Sequence, residues 1–252
     1  MRKWFEISAW LFVVMLASAS GMSAAEQGGI VSPTDAWNHT WAEVLIDLYV
    51  IGGVFAVVLV YMLFKYRARS PDEVGKGKKL NLDQALAWVL IPSAIFCADD
   101  FLLAAKGWTL WNIQRVVPPG AMEVKVTGYQ WYFEFDYGNG LKSDDLVVPV
   151  GQPVVLRMSS EDVIHSFGLT EYRLKEDIMP GRITYLWFFP DKPLTTKVVC
   201  VEFCGNSHAE MNAAVKALPK PEFDSWLAGK KQKAELDRSS SAQLIDNTQS
   251  AR

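Results

Sequence analysis

The chain has 252 residues, of which 50% are hydrophobic and 12% aromatic. That is enough for one domain of ordinary size plus membrane segments, and too little for two large globular domains. A formal net charge of -3 offers no clustered basic face for phosphates, so nucleic-acid binding is set aside. Cysteine occurs only at Cys97, Cys200 and Cys204 and histidine only at His39, His165 and His208, so any metal site draws on a short set of side chains.

Residues 1–25 have the grammar of a secretory signal peptide: Arg2-Lys3, an apolar stretch through Leu11 to Leu16, then small residues with Ser23-Ala24-Ala25 as the expected cleavage site. The competing assignment is a first membrane anchor, for which the apolar stretch is short. With no cysteine near the cleavage region, a lipoprotein anchor is not expected. Residues 26–43 are then an extracytoplasmic segment. Two apolar stretches follow at 44–66 and 83–106, each near the ~20 residues that cross ~30 Å of hydrocarbon. The loop between them, 67–82, and its edge carry Lys65, Arg67, Arg69, Lys76, Lys78 and Lys79 against Asp72 and Glu73. Short basic loops stay in the cytoplasm, so the pattern predicts a transmembrane hairpin with both ends of the mature chain outside. Trp37, Trp41, Trp108 and Trp111 suit the interfacial aromatic belt. Gly75 to Lys79 lacks the spacing and the closing Ser or Thr of a phosphate loop and is a solvated turn.

Asp99 and Asp100 fall well inside the second span, where a carboxylate costs about 2.5–3.5 kcal/mol at the helix centre. Either the helix ends early and places them at the outer interface, or they face a partner subunit or a wet cavity. Cys97 is expected to be a small buried hydrophobe, and His39 an ordinary interface residue.

After a linker at 107–118 the pattern becomes short alternating runs: Met122 to Val126, Gln130 to Asp136, Leu146 to Val150, Val154 to Met158, Ile183 to Phe189 and Thr196 to Val201. Period-two alternation punctuated by Gly, Pro and Asp predicts an antiparallel sandwich or barrel of about 100 residues, here 119–220. The remainder, 221–252, is expected to hold a short amphipathic helix around Phe223 to Leu236 and a disordered polar tail from Ser239.

The segment from Cys200 to Met211 carries two thiols, His208 and a thioether, directly after the apolar strand ending at Val199. Soft sulfur with imidazole favours copper or zinc over magnesium, calcium or manganese. His165 lies at the end of another expected strand, which folding of a sandwich can bring to the same rim. Three assignments compete. A Cys200–Cys204 disulfide suits an oxidising compartment but leaves the histidines and Met211 without a role. A Cys2His2 zinc site fits the ligand count but has no use for methionine. Copper uses all five side chains if both thiolates bridge two ions.

The pattern Cys-x-Glu-x-Cys-Gly-x-x-His-x-x-Met at 200–211, with His165 in a Glu-Asp-Val-Ile-His-Ser context, resembles subunit II of haem-copper oxidases. The resemblance extends through Lys175, Asp177 and Pro180-Gly181-Arg182, through Gly128 to Phe133, and back over the hairpin and signal peptide. It implies a membrane-anchored all-β fold: a two-helix transmembrane hairpin followed by a cupredoxin-like Greek-key β-barrel. It also implies a dinuclear copper centre, CuA, held by Cys200, Cys204, His165, His208, Met211 and the backbone carbonyl of Glu202. The carboxylate of Glu202 would in addition reach a magnesium ion at the boundary with the catalytic subunit. Trp131 would be the exposed ring that receives the electron from cytochrome c or a similar soluble one-electron donor. The implied partners are the haem-bearing catalytic subunit I, which reduces oxygen to water, and the other oxidase subunits. The implied location is the bacterial inner membrane, with the C-terminal domain on the periplasmic side.

Glu161, Asp162, Asp144, Asp145 and Glu171 are candidates for a patch that docks a basic donor, against the plain alternative of a solvated surface. Phe133 and Tyr129 stand where the family usually has a tryptophan and a histidine. Ala85 stands where many members place a glutamate at the mouth of a proton path, with Asp83 offset by two residues. That departure keeps a nitric oxide reductase with a CuA subunit as an alternative. A membrane-tethered copper-delivery protein is a third reading.

Overall fold

The computed structural model describes residues 30–75, 77 and 79–250, with side chains to residue 236. The expected signal peptide and the basic residues Lys76 and Lys78 lie outside the described residues. The chain divides into two compact units, one spanning Asp35–Asn112 and one that begins again at Ile113 and includes residues 30–34.

The first unit is made of two long helices, α1 (Pro33–Lys65) and α2 (Leu82–Arg115). Pro33 is pre-set for a first helical position, and the Ser32 hydroxyl accepts from the Thr34 N–H at 3.2 Å, capping the start of α1. α2 opens on a reciprocal capping box: Asn81 Oδ1 accepts from the Gln84 N–H at 2.8 Å, and Gln84 Oε1 accepts from the Asn81 N–H at 3.3 Å. Both helices are long and apolar enough to cross a membrane. At 33 and 34 residues and ~1.5 Å per residue each is about 50 Å long, so each extends beyond the hydrocarbon. Large side chains such as Val57, Phe64, Trp88 and Phe101 are exposed along them, a surface suited to lipid or to other apolar helices.

Within this unit α2 continues unbroken through Asp99 and Asp100 to Arg115, so the reading in which the helix ends before these residues is overturned. The half-buried Asp99 lies within electrostatic reach of Asp47 on α1 and of Asp100, which is exposed. Nearer the start of α1 and the end of α2, Lys106 on α2 forms an ion pair with Glu43 on α1, and His39 Nδ1 is 3.9 Å from the same carboxylate. Cys97 is exposed on the surface of α2 rather than buried, as no residue of that helix is buried.

The second unit is a sandwich of two five-stranded sheets. One sheet has the order β3 (Lys142–Ser143), β2 (Tyr132–Asp136), β1 (Met122–Tyr129), β5 (Val154–Ser160), β8 (Thr184–Phe188). The other has the order β4 (Leu146–Pro149), β10 (Asn212–Leu218), β9 (Leu194–Cys200), β6 (His165–Leu169), β7 (Leu174–Ile178). Inward residues of both sheets meet at Phe167 on β6, whose ring packs edge-on against Phe133 and Phe135 of β2 at centroid distances of 5.4 and 6.3 Å. All three rings are buried, and such edge-to-face contacts add ~0.5–1.5 kcal/mol each beyond area burial.

The sheets are not purely antiparallel as expected: β1 pairs with β5 in parallel, and β4 with β10 in parallel. Alternation along a strand reports which face is buried but carries no direction for its neighbour. The order and mixed pairing fit the cupredoxin-like fold implied by the resemblance.

The last turn of α2 belongs to this second unit. Trp187 Nε1 donates to the Ile113 carbonyl at 3.0 Å and the Tyr185 hydroxyl to the Arg115 carbonyl at 3.1 Å, which satisfies acceptors that a helix end leaves free. α3 (Lys220–Ser250) packs onto the sandwich through buried Phe223 and through Trp226, whose ring lies 5.1 Å from that of Tyr137. It runs to Ser250, past Ser239 where a disordered tail was expected. Good helix formers such as Ala234, Glu235, Leu236, Ala242 and Leu244 favour this over coil.

Gly168, in the middle of β6, is sterically required. A Cβ there would lie 2.6 Å from Val201 Cγ1 and 3.1 Å from the Val199 carbonyl oxygen. Gly168→Ala is expected to destabilise the sandwich by about 1–3 kcal/mol through overpacking. A lowered urea midpoint of the metal-free chain, followed by near-ultraviolet circular dichroism, checks this, and an unchanged midpoint contradicts it.

Candidate metal centre

β9 ends on Cys200, and β10 begins at Asn212 after a loop that holds Glu202, Cys204 and a 3-10 turn at His208–Glu210. The loop is closed at its base by the Cys200 N–H donating to the Met211 carbonyl at 3.0 Å. β6 lies beside β9 with Phe167 opposite Cys200, and the Val201 N–H donates to the Ser166 carbonyl at 3.0 Å. This pairing brings His165, the first residue of β6, against the loop despite its distance in sequence.

Five side chains converge there. Cys200 Sγ and Cys204 Sγ are 3.7 Å apart. His165 Nδ1 lies 4.0 Å from Cys200 Sγ, and His208 Nδ1 lies 3.6 Å from Cys204 Sγ. Met211 Sδ is 3.7 Å from Cys204 Sγ, and the Glu202 carbonyl oxygen is 3.3 Å from Cys200 Sγ. Cys200, Cys204, His165 and Met211 are buried and His208 is half-buried.

Two donors that each sit ~2.0–2.3 Å from one ion at tetrahedral angles lie roughly 3.3–3.8 Å from each other, which is close to the spacing seen here. The two thiols are free, and their 3.7 Å separation is far from the ~2.05 Å of a disulfide. A tetrahedral zinc site has no place for a fifth and sixth donor. Soft thioether sulfur instead favours copper, so the donor set fits copper better than a closed zinc site.

His165 Nε2 lies 2.8 Å from Asp162 Oδ1. Donation of the Nε2–H to this carboxylate leaves the Nδ1 lone pair directed toward Cys200, as a metal ligand needs. Asp162 also accepts from the backbone N–H of Val163 and of Gln130, both at 2.6 Å, and from Ser160 Oγ at 3.2 Å. Burial alone would raise the Asp162 carboxyl, but the bonds from His165, Val163 and Gln130 outweigh it and hold it below the ordinary carboxylate range. Burial, together with the neighbouring Cys200 thiol, pushes the Cys204 thiol up to about 11.

Trp131 is 38% exposed, and its indole N–H donates to the Cys204 carbonyl at 3.2 Å. The Gln130 side-chain amide donates to the same oxygen at 2.7 Å. Gly205 makes room for both at a φ of +120°, since a Cβ there would lie 3.0 Å from Gln130 Nε2 and 3.2 Å from Trp131 Nε1. Gly128 does the same for the histidine: a Cβ would stand 2.9 Å from His165 Cδ2. Phe203 is 75% exposed and lies edge-on to His208 at 5.8 Å. Phe133, which departs from the family's usual residue, is a core ring, and Tyr129 stacks on Tyr132 at 4.9 Å.

The candidate docking acids have different surroundings. Glu161 and Asp144 are exposed, whereas Asp145 is paired with Lys216 at 2.7 Å and Asp162 is occupied by His165. The Glu202 side chain is exposed. Sequence reasoning did not single out Gln130 or the structural use of Asp162. The Asp162-x-x-His165 spacing was the available signal for the latter.

The family model described as cytochrome C oxidase subunit II, periplasmic domain, matches residues 139–218. Among curated proteins, the chain is similar to cytochrome c oxidase subunit 2 of Alkalihalophilus pseudofirmus, with 32% identity over 70% of this chain and 53% of that protein. It is also similar to the alternative cytochrome c oxidase subunit 2 of Bradyrhizobium diazoefficiens, with 28% identity over 77% of this chain and 81% of that protein. The chain thus spans about half the length of the first relative and most of the second. Among solved structures, the periplasmic domain of subunit II of the Bradyrhizobium japonicum cytochrome oxidase has 31% identity and a TM-score of 0.44, covering 47% of this chain and 99% of that one. The residues 139–218 that match the family model contain His165 and the whole ligand loop from Cys200 to Met211, so the likeness to cytochrome c oxidase subunit II falls on the candidate metal centre.

Proposed function

We propose that this chain is the electron-entry subunit of a respiratory haem-copper oxidase, accepting single electrons from cytochrome c or a similar soluble donor and passing them to a haem-bearing partner that reduces oxygen to water. The observation that carries the reading is the paired arrangement of donors: two thiols 3.7 Å apart, one facing His165 Nδ1 and the other His208 Nδ1. Cys200, Cys204, His165, His208, Met211 and the Glu202 carbonyl would hold two copper ions. When bound, the pair supplies a one-electron carrier whose unpaired electron is shared between both ions.

The rest falls to the protein. Asp162 keeps His165 in one tautomer and orientation, and the β6–β9 pairing fixes the ligand loop against it, so the donors are placed before metal arrives. Burial excludes water from four of the five donor side chains. Trp131 spans from solvent to the Cys204 carbonyl, which makes it the candidate entry residue. Exposed Glu161 and Asp144 remain the candidate docking charges, and the exposed Glu202 carboxylate the candidate magnesium ligand. The two apolar helices anchor the chain in the bacterial inner membrane, with the β-sandwich on the periplasmic side.

Oxygen rather than nitric oxide as terminal acceptor is supported by the relatives, which are named as cytochrome c oxidase subunits. A delivery role is disfavoured by the closed and largely buried ligand set. Rapid mixing of the copper-loaded full chain in detergent with reduced cytochrome c tests the reading. Trp131→Ala is expected to slow electron entry while copper content stays unchanged. Entry at the unaltered rate removes Trp131 from the path, and no electron acceptance by the unaltered loaded chain overturns the function.

A further inference from the structure

The turn between β1 and β2 touches the donor set from both sides, and Gln130 makes the contact on each. Its backbone N–H donates to Asp162 Oδ2 at 2.6 Å, and the other oxygen of that carboxylate lies 2.8 Å from His165 Nε2. Its side-chain amide donates to the Cys204 carbonyl at 2.7 Å. His165 faces Cys200 and His208 faces Cys204, so Gln130 links the histidine of one thiol to the backbone of the other. The link spans the two sheets: β1 and β2 belong to one, and the ligand loop and His165 to the other.

We propose that Gln130 is a positioning residue for the copper centre, holding the Cys204 part of the ligand loop in register with His165. This rests on the proposed copper reading. Three features support it. The Cys204 carbonyl receives two donors from consecutive residues, Gln130 and Trp131, so the turn grips the loop at one peptide group. The next residue is Gly205 at φ +120°, and any Cβ there would press on both donors. Among the described residues the Gln130 side chain bonds to the Cys204 carbonyl alone, and its residue is exposed, so the amide has no role in the core. An N–H aimed at the ligand loop also places the positive end of a dipole near the thiolates, which favours the reduced, less positive state of the bound metals.

The test compares the unaltered full chain in detergent with Gln130→Ala, Gln130→Glu and, as a distant control, Gln152→Ala, which removes a glutamine donating to the Gly120 carbonyl at 3.2 Å. Copper retention against a competing chelator, the copper electron paramagnetic resonance spectrum and the reduction potential are measured on each. Loss of outer partners of metal ligands typically costs ~10–100-fold in metal affinity, and Gln130→Ala is expected to weaken retention by about tenfold. It should also alter the copper hyperfine pattern and lower the potential. Gln130→Glu, which replaces the donor with a negative charge, should lower it further, and Gln152→Ala should match the unaltered chain in all three. Unchanged retention, spectrum and potential in Gln130→Ala overturn the proposal even though the unaltered chain binds copper. A Gln152→Ala that shifts all three equally also overturns it, because the effect is then not local. Failure of the unaltered chain to bind copper overturns the copper reading itself. Thermal unfolding of the metal-free variants separates misfolding from mispositioning, and for a variant that does not fold, Gln130→Asn, polar but too short to reach the Cys204 carbonyl, provides the same test.

Discussion

Cys204→Ser is expected to eliminate the two-copper centre and with it electron acceptance. Cys204 Sγ lies within 3.6–3.7 Å of Cys200 Sγ, His208 Nδ1 and Met211 Sδ, so it connects donors on both sides of the site. Serine offers a hard oxygen that stays protonated at neutral pH, where a soft thiolate is needed to bridge. Cys200, His165 and the Glu202 carbonyl remain in the variant and can hold a single ion. Copper content should therefore fall from two ions per chain to one or fewer. Acceptance of electrons from reduced cytochrome c should drop by more than about a hundredfold, beyond the upper end of what loss of an outer partner costs. Metal analysis and stopped-flow absorbance check both. Two coppers and unaltered acceptance in Cys204→Ser would remove the bridging role.

Copper uptake should release protons and strengthen with pH. Burial and the adjacent Cys200 thiol push the Cys204 thiol up to about 11, so the metal-free site holds it protonated throughout the neutral range. Binding requires the thiolate, and the proton must leave. The sign follows directly. Lowering the pH makes the lost proton harder to remove and weakens binding, while raising it toward 11 strengthens binding. Cys204 alone contributes about a tenfold change in apparent affinity per pH unit, equal to ~1.4 kcal/mol. Chelator competition between pH 6 and 8 should therefore show a rise of at least about a hundredfold from this one group. A pH-independent affinity would mean that the thiol is already ionised and that the buried pair does not behave as described.

The centre was legible in the sequence to the extent that its donors share one loop. Cys200, Cys204, His208 and Met211 occur within a single turn-rich connection, and their softness names the metal class without a fold. His165 was harder. Its strand is buried at every position from His165 to Leu169, so it shows no alternation, and before the resemblance only the expectation that a sandwich can bring strand ends to one rim tied it to the loop. The supporting residues were less visible still. Asp162 looked like a docking charge, because sequence shows a carboxylate but not the imidazole 2.8 Å away. Gln130 stood beside Trp131 with nothing to separate it from other polar turn residues.

The sandwich itself was readable from alternation, but its neighbours were not. Parallel pairing of β1 with β5 and of β4 with β10 depends on crossovers that no local pattern encodes. β10 was missed because Asn212 to Leu218 is rich in alanine, which has low strand preference. The close approaches at Gly128, Gly168 and Gly205 arise from tertiary packing, and a glycine in a sequence does not say which atom it makes room for. In the second helix, the two adjacent carboxylates left open both an early end and a helix that carries them toward a partner subunit or a wet cavity. The helix continues, with Asp99 placed toward Asp47.

The most direct test is low-temperature electron paramagnetic resonance of the full chain in detergent, loaded with copper and measured beside its metal content. The donor geometry predicts two coppers per chain and one unpaired electron shared equally between them. One copper per chain with the spin confined to a single ion, or a site that retains only zinc, would contradict it.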